Sequence, residues 1–298
     1  MKLAYLILAH NNPAHLGRLM EGLKTSATDF FIHIDKKSNL DEFIHLAGTQ
    51  VFFSNQRVPV YWGTFSQIEA TLALMQQAIA AEKPYDYFVL LSGADYPIQS
   101  ADYIHEFFKN HQGTQFISTL KMPNLAAGKP LSLLEEFNVE GKYKKIKKRA
   151  YRLYKALGLP RIRRDYQQGL NGLVPYAGAQ WWALTREACE YILKFVETHP
   201  KFMQLYQNVL VPDEMFFQTI IGNSHYSSKI ARSLTYSDWQ AGKSSPENMT
   251  ENHLAKLKNQ SRYLMKCSNY PEGEILFARK FVGDTQALVN LIKKHTHA

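Results

Sequence analysis

Asp213 and Glu214 stand side by side after Pro212 in VPDEMFFQTI, residues 211–220, just before a run of large apolar residues. A short acidic side chain at such a place can cap a helix, because its oxygens accept the unpaired N–H groups of the first turn. A carboxylate held at a pocket rim by a buried apolar run can instead serve as a general base. Both readings fit these residues, and other charged groups have to separate them. Arg279 and Lys280 in FARKF are adjacent cations between aromatic residues. They suit a group that gains negative charge, such as a departing diphosphate. A solvated basic pair on a short turn has the same spacing. Asp35 in FFIHID, His10 in LAYLILAH and His33 all stand at strand ends, where ligand contact and ordinary packing are both open. Asp95 in SGADYP is equally suited to ordering a loop and to supporting a site.

Missing motifs narrow the chemistry. No GxGxxG follows the first strand, no GxxxxGK[ST] occurs, and the loop AHNNPAHL has no glycine. Dinucleotide-binding and P-loop enzymes are therefore disfavoured. No DxD pair is present, so a fixed divalent metal on paired aspartates is not expected. Any diphosphate handled here must be offset by Lys, Arg or helix N-termini. No CxxC or HExxH occurs, so a zinc site has no support and no cofactor is expected beyond what a family resemblance could imply. The two cysteines, Cys189 and Cys267, fit a reducing cytosol rather than a disulfide framework.

The elements that must position these groups alternate. LAYLILAH reads as a strand and PAHLGRLMEGLK as a helix with Pro13 in its first turn. DFFIHID and QVFFSN read as further strands. FSQIEATLALMQQAIAA reads as a helix with Ile68, Leu72 and Met75 on one face, and YDYFVLLSG as a fourth strand, apolar enough to be buried on both faces. Beyond come QFISTL as a strand, GAQWWALTREACEYILKFVETHP as a short strand and helix, DEMFFQTII as a helix, and a more polar C-terminal third ending in the helix TQALVNLIKKH. The βαβα order predicts an α/β fold with a mostly parallel sheet flanked by helices, with ligands beyond the carboxyl ends of the strands. The clusters AHNN, HIDKKS and SGADYP stand at those ends. No repeat or low-complexity linker divides the chain. A single domain over 1–298 is expected, with a nucleotide-binding half at 1–120, a basic insertion at 141–164 and an acceptor and catalytic half at 170–298.

A 45% hydrophobic and 20% charged composition suits a globular protein with a large core. LAYLILA is too short to span a bilayer, so a cytoplasmic location is expected, with peripheral contact at the inner membrane as the alternative. Net charge is +9, and much of it lies in GKYKKIKKRAYRLYKALGLPRIRR, residues 141–164. Cations interleaved with Tyr, Leu and Ile fit a solvated helix or an anionic membrane surface. Nothing else in the chain favours nucleic acid.

Eight segments occur in order: AYLILAHNNPAHLGRL, FFIHIDKKS, VYWGTFSQIEATLALM, YFVLLSGADYPI, GAQWWALTREACEYIL, VPDEMFFQTII, LTYSDWQAGKSSPENMT and LFARKF. Together they resemble glycosyltransferase family 14, which holds the core-2/I-branching β-1,6-N-acetylglucosaminyltransferases and the peptide O-xylosyltransferases. The chain is much shorter than the animal members and lacks their anchor and cysteines, so a bacterial member is expected. The resemblance implies a GT-A-like fold and an inverting, metal-independent transfer of GlcNAc or xylose from UDP-GlcNAc or UDP-xylose to a glycan hydroxyl, in surface polysaccharide synthesis. It implies Glu214 as the general base, with Asp213 orienting its turn, and Arg279 and Lys280 as diphosphate contacts. Donor contacts fall on Ala9 with His10 beside it, on Asp35, on Val60, Tyr61 and Trp62 in VYWG, on Gln180 and Trp181, and on Ser244 or Ser245 in KSSP. Relatives often carry an arginine shortly before the Asp-Trp of the SDW segment; here the second diphosphate cation falls to Arg232 or Lys243. The alternative is a non-catalytic glycan- or membrane-binding module on the same fold.

Overall fold

The computed structural model describes residues 1–138, 144–158, 163–240, 243, 245–258, 264–267 and 270–296. The first part alternates as expected: β1 (Leu3–Ala9), α1 (Pro13–Leu23), β2 (Thr28–Ile34), β3 (Val51–Phe53), α2 (Ser66–Ala80), β4 (Tyr87–Ser92), β5 (Asp95–Pro97) and α3 (Ala101–Asn110). The middle holds β6 (Gln115–Phe116), β7 (Leu120–Lys121), α4 (Ser132–Glu135), α5 (Lys144–Ala156), α6 (Tyr166–Leu170), β8 (Tyr176–Ala177), β9 (Ala183–Thr185), α7 (Arg186–Thr198) and α8 (Pro200–Tyr206). The last part holds α9 (Phe216–Gly222), β10 (Ile230–Ala231), β11 (Thr235–Ser237), α10 (Glu251–Lys258), β12 (Leu264–Cys267), β13 (Tyr270–Glu274), β14 (Phe277–Arg279) and α11 (Gln286–Thr296).

The main sheet has the order β10-β6-β9-β4-β1-β2-β3. β1 runs parallel to β2 and β4, β2 to β3, and β10 to β6, while β9 alone runs against its neighbours. The fold is thus a mixed α/β architecture around a mostly parallel sheet. β1 shows why its sequence is continuously apolar. Ala4 and Leu6 join one core with Ile68, Leu72 and Met75 of α2 and Cys189 and Ile192 of α7. Tyr5, Ile7 and Ala9 join the other with Leu16 and Leu19 of α1 and Phe107 and Phe108 of α3. A strand covered by helices on both faces buries both of its alternating sides. Asn12 caps α1 as a left-handed residue (φ 52°) whose side chain accepts from the His15 N–H, with Pro13 next, so the chain reverses at once beyond β1.

Three features differ from the sequence expectation. QFISTL is not one strand: β6 ends at Phe116 because the chain turns out to pair as β7 with β8. DEMFFQTII is not one helix: Pro212–Glu214 form a separate 3₁₀ turn, and α9 begins only at Phe216. β11 and β14 also form in the C-terminal region that reads as loops, and they join β5 in a three-stranded sheet of order β11-β14-β5. In it β14 pairs antiparallel with β5, with Arg279 opposite Asp95. The pairing is tertiary, so no local pattern announces it.

The strand ends crowd together where the site forms. The Gly93 N–H donates to the Leu8 carbonyl at 2.8 Å, and a Cβ on Gly93 would stand 2.7 Å from the Ala9 Cβ. Gly93→Ala is expected to destabilise the protein by about 1–3 kcal/mol, because neither backbone can yield cheaply; an unchanged urea midpoint would contradict this.

Candidate active site

Three loops meet at the carboxyl ends of the parallel strands. The Asp35 N–H donates to the Ala9 carbonyl at 2.8 Å, and Ser38 Oγ donates to the His10 carbonyl at 2.6 Å. Asp35 is buried and accepts from the backbone N–H of Lys37 at 2.9 Å and of Val60 at 3.3 Å. Lys37 Nζ bonds Asp35 at 2.7 Å, touches the Val60 carbonyl and lies 4.5 Å over the Tyr61 ring. Burial pushes the Asp35 carboxyl up, but these hydrogen bonds outweigh it and hold it below the ordinary value. Asp35 therefore ties the first two loops to VYWG. His33 is buried, and desolvation lowers its pKa to about 4; its neutral Nε2 accepts the Val58 N–H at 3.0 Å and helps to hold the same loop. Trp62 is 59% exposed, leaving its ring available.

Arg279 and Asp95 form the centre. Asp95 is fully buried, and its Oδ1 lies 3.5 Å from Arg279 Nε, an ion pair without a hydrogen bond. Asp95 Oδ2 accepts the Ser92 N–H at 2.9 Å. Burial raises the Asp95 carboxyl to about 6, against the opposing pull of Arg279 and Ser92. The Arg279 guanidinium stacks 4.3 Å from the Trp181 ring centroid, a cation–π contact that strengthens with desolvation. Under Asp95 lies neutral His15, whose Nε2 pairs with the Asp95 carbonyl at 3.0 Å and Nδ1 with Thr285 Oγ1 at 2.8 Å. Desolvation lowers the His15 pKa, and because the Asp95 carbonyl can only accept, the neutral ring carries its proton on Nε2 and accepts from Thr285 at Nδ1. Lys280 follows directly after β14: Nζ donates to Ser245 Oγ at 3.1 Å, its N–H donates to the Glu247 carbonyl and its carbonyl accepts the Met249 N–H.

Glu214 is partly exposed, at 25% of its side chain, and is paired through Oε2 with Lys129 Nζ. Oε1 makes no hydrogen bond among the described residues. The Glu214 carbonyl accepts the Gly178 N–H at 2.8 Å. A Cβ at Gly178 would come within 1.7 Å of the Ser118 carbonyl, so only glycine fits there. Asp213 is not a helix cap, since neither the 3₁₀ turn nor α9 has a side-chain cap. It points into the core instead, because a 3₁₀ turn rather than a helix carries it. The Gln67 amide nitrogen, oriented toward it, lies 3.1 and 3.2 Å from its two oxygens. Burial raises the Asp213 carboxyl well above the ordinary value, and the neighbouring Glu214 charge adds to this.

Other expected residues are dispersed. Ala9 is buried against Gly93, while His10 is exposed. Gln180 Nε2 is buried with no partner among the described residues. Arg232 lies away from Arg279. The register pairs Ser237 with Arg279, whereas Arg232 packs against Gly273 and lines a separate cleft of about 290 Å³ with Ser118 and Tyr176. Lys243 pairs with Glu247, whose carbonyl receives the Lys280 N–H at 3.4 Å, so Lys243 is the candidate cation on the Lys280 side. Ser244 lies outside the described residues, as do 139–143 and 159–162 of and beside the basic segment. Sequence reading missed Lys129, Gln67, Gly178 and His15. Lys129 ends a tight turn in which Asn124 and Lys129 exchange backbone hydrogen bonds and Gly128 has φ 67°. NLAAGK carries the Asn and Gly of a turn, but only the tertiary fold brings it to Glu214. Among the described residues no group of three or more His, Cys, Asp or Glu could hold a metal ion.

The model of the family "Core-2/I-Branching enzyme" matches residues 3–260. The chain belongs to that family, and so carries a glycosyltransferase domain. Its relatives include xylosyltransferase 1 of Homo sapiens, 25% identical over 250 residues covering 80% of this chain and 24% of that protein. Xylosyltransferase 2 of Canis lupus familiaris is 26% identical over 250 residues, covering 80% of this chain and 27% of its own. This chain thus spans about a quarter of the length of the relatives it matches. The crystal structure of apo mouse xyloside xylosyltransferase 1 aligns over 93% of this chain and 97% of its own at 11% identity, with a TM-score of 0.37, a likeness too slight to carry a conclusion.

The two raised carboxyls make stability pH-dependent. A carboxyl whose folded pKa lies above its unfolded value favours the fold fully below about pH 4, and that contribution is lost as pH rises through the folded value. Between pH 5 and pH 8 Asp95 and Asp213 together are expected to cost on the order of 4 kcal/mol. Urea titrations should therefore show Asp213→Asn less sensitive to that pH change than the wild type; equal slopes would contradict the burial of an ionisable Asp213.

Proposed function

We propose that the protein is an inverting glycosyltransferase that moves GlcNAc or xylose from UDP-GlcNAc or UDP-xylose to a hydroxyl of a surface glycan without a metal ion. The observation that carries this reading is a partly exposed Glu214, whose Oε1 makes no hydrogen bond among the described residues, near enough to the Arg279–Asp95 pair for the Glu214 and Arg279 charges to interact. In direct displacement one base removes the acceptor proton as the hydroxyl oxygen attacks the anomeric carbon. That C–O bond forms as the bond to the diphosphate breaks, and the electrons leave with UDP. Charge gathers on the diphosphate, where Arg279 and Lys280, with Lys243 behind them, lower the barrier as prepaid cations. Asp35, Val60, Tyr61, Trp62, Gln180 and Ser245 hold the nucleoside and sugar.

Calorimetry with UDP, UDP-GlcNAc and UDP-xylose tests this directly. Binding that is unchanged in EDTA, with one sugar preferred, is expected; Glu214→Gln should keep that binding and lose transfer by at least about 100-fold. Binding that needs manganese would remove the diphosphate roles of Arg279 and Lys280.

The acceptor is met at an anionic membrane surface on the cytoplasmic side. α5 supports this, because Ile146, Leu153 and Leu157 are 68%, 64% and 66% exposed at spacings of seven and four, which is one helix face. Lys145, Arg149 and Arg152 flank that stripe, the pattern of a helix lying in a lipid interface. Arg163 and Arg164 serve a different end: Arg163 pairs with Glu135, and Arg164 bonds the carbonyls of Leu205, Glu136 and Asn208, anchoring the segment to the body. No helix among the described residues is long and apolar enough to cross a membrane. Sedimentation with phosphatidylglycerol vesicles but not with neutral vesicles is expected, and Ile146→Ser/Leu153→Ser should abolish it; equal sedimentation with both lipids would sink the surface reading.

A further inference from the structure

Val211, the residue before the 3₁₀ turn that carries Glu214, has φ 48° and ψ 52°. A β-branched residue rarely adopts this left-handed conformation, and a following proline disfavours it further. Such a backbone persists only where its surroundings hold it, and it gathers at functional sites.

What holds it is the loop assigned to the donor. The Val211 N–H donates to the Gly63 carbonyl at 3.2 Å. Asn138 Nδ2 donates to the same carbonyl at 2.8 Å and to the Val209 carbonyl at 3.3 Å, clamping both strands of the contact. Gly63 is itself left-handed, at φ 66°, and a Cβ there would meet Leu210 Cδ1 at 3.2 Å and Val211 Cγ1 at 3.7 Å. Further along, Phe65 packs edge-on against Phe216 at 5.9 Å, and Gln67 faces Asp213. The two segments are one packed unit. A rotation of Val211 to the extended backbone favoured before proline would swing Pro212–Glu214, taking Glu214 off Lys129 and Asp213 off Gln67.

We propose that Val211 is a positioning residue, kept left-handed by the Gly63–Asn138 clamp so that Glu214 faces the acceptor only while the donor loop is seated against it. The inference rests on Glu214 being the base. It couples the two substrates: a donor that steadies Val60–Trp62 also steadies Gly63, and through it the base.

A double-mutant cycle tests the clamp. Asn138→Ala should lower transfer about tenfold, as a small misplacement of a reacting group does. Val211→Asn, whose side chain suits the left-handed region, should raise the Tm by a few degrees by removing the backbone cost. In the Asn138→Ala background Val211→Asn should restore most of the lost transfer, because the turn no longer needs the clamp; Val211→Gly provides the same test if the Asn variant folds poorly. Failure of that rescue, full activity of Asn138→Ala, or a lowered Tm in both Val211 variants would overturn the proposal. Glu214→Gln assayed alongside separates the causes. If it is inactive while the cycle fails, only the clamp is wrong; if it transfers normally, the base assignment falls and takes the clamp with it.

Discussion

A fully buried carboxylate next to a nearly buried guanidinium is the constraint around which this site is built. Asp95 on β5 and Arg279 on β14 meet across an antiparallel register that joins the end of the chain to the turn after the central strand. Removing one partner of such a pair leaves an uncompensated charge in the interior, a loss of about 3–5 kcal/mol. The pair lacks a hydrogen bond between its closest atoms, so it is held by its surroundings: the Ser92 N–H on one carboxylate oxygen, the Trp181 face on the guanidinium, and His15 on the Asp95 carbonyl. Everything assigned to the diphosphate inherits its place from that arrangement.

The second charged group is a carboxylate pair of divided character. Asp213 and Glu214 are neighbours in sequence, yet one is buried and the other is partly exposed. Burial raises the Asp213 carboxyl and the nearby Glu214 charge raises it further, with Lys129 and Arg279 opposing. Two adjacent carboxyls in unequal surroundings are separated in role by environment alone. Lys129 offsets the charge of Glu214 through one oxygen and leaves the other without a hydrogen bond among the described residues.

Glycines do quiet structural work here. Gly178 lets a backbone N–H reach the Glu214 carbonyl where any side chain would strike Ser118, and Gly93 lets two strand ends approach. The donor loop and catalytic turn are likewise joined through the Gly63 carbonyl. Close backbone approach, rather than long side-chain reach, brings the loops of three strands to one place.

The sequence by itself determined the sheet and its helices, because burial on both faces writes continuous apolar strands and three-four spaced helices directly into residue types. β1, β2, β4 and α2 were legible for that reason, and so were Glu214, Asp35 and Arg279 as candidates, since chemistry restricts which residues can serve. It did not determine partners. The joining of Arg279 to Asp95, the arrival of Lys129 at Glu214, the inward turn of Asp213 and the separation of Arg232 from Arg279 were decided only by the tertiary structure. Each depends on strand register or loop closure between residues far apart in the chain, and local propensity carries no information about those distances.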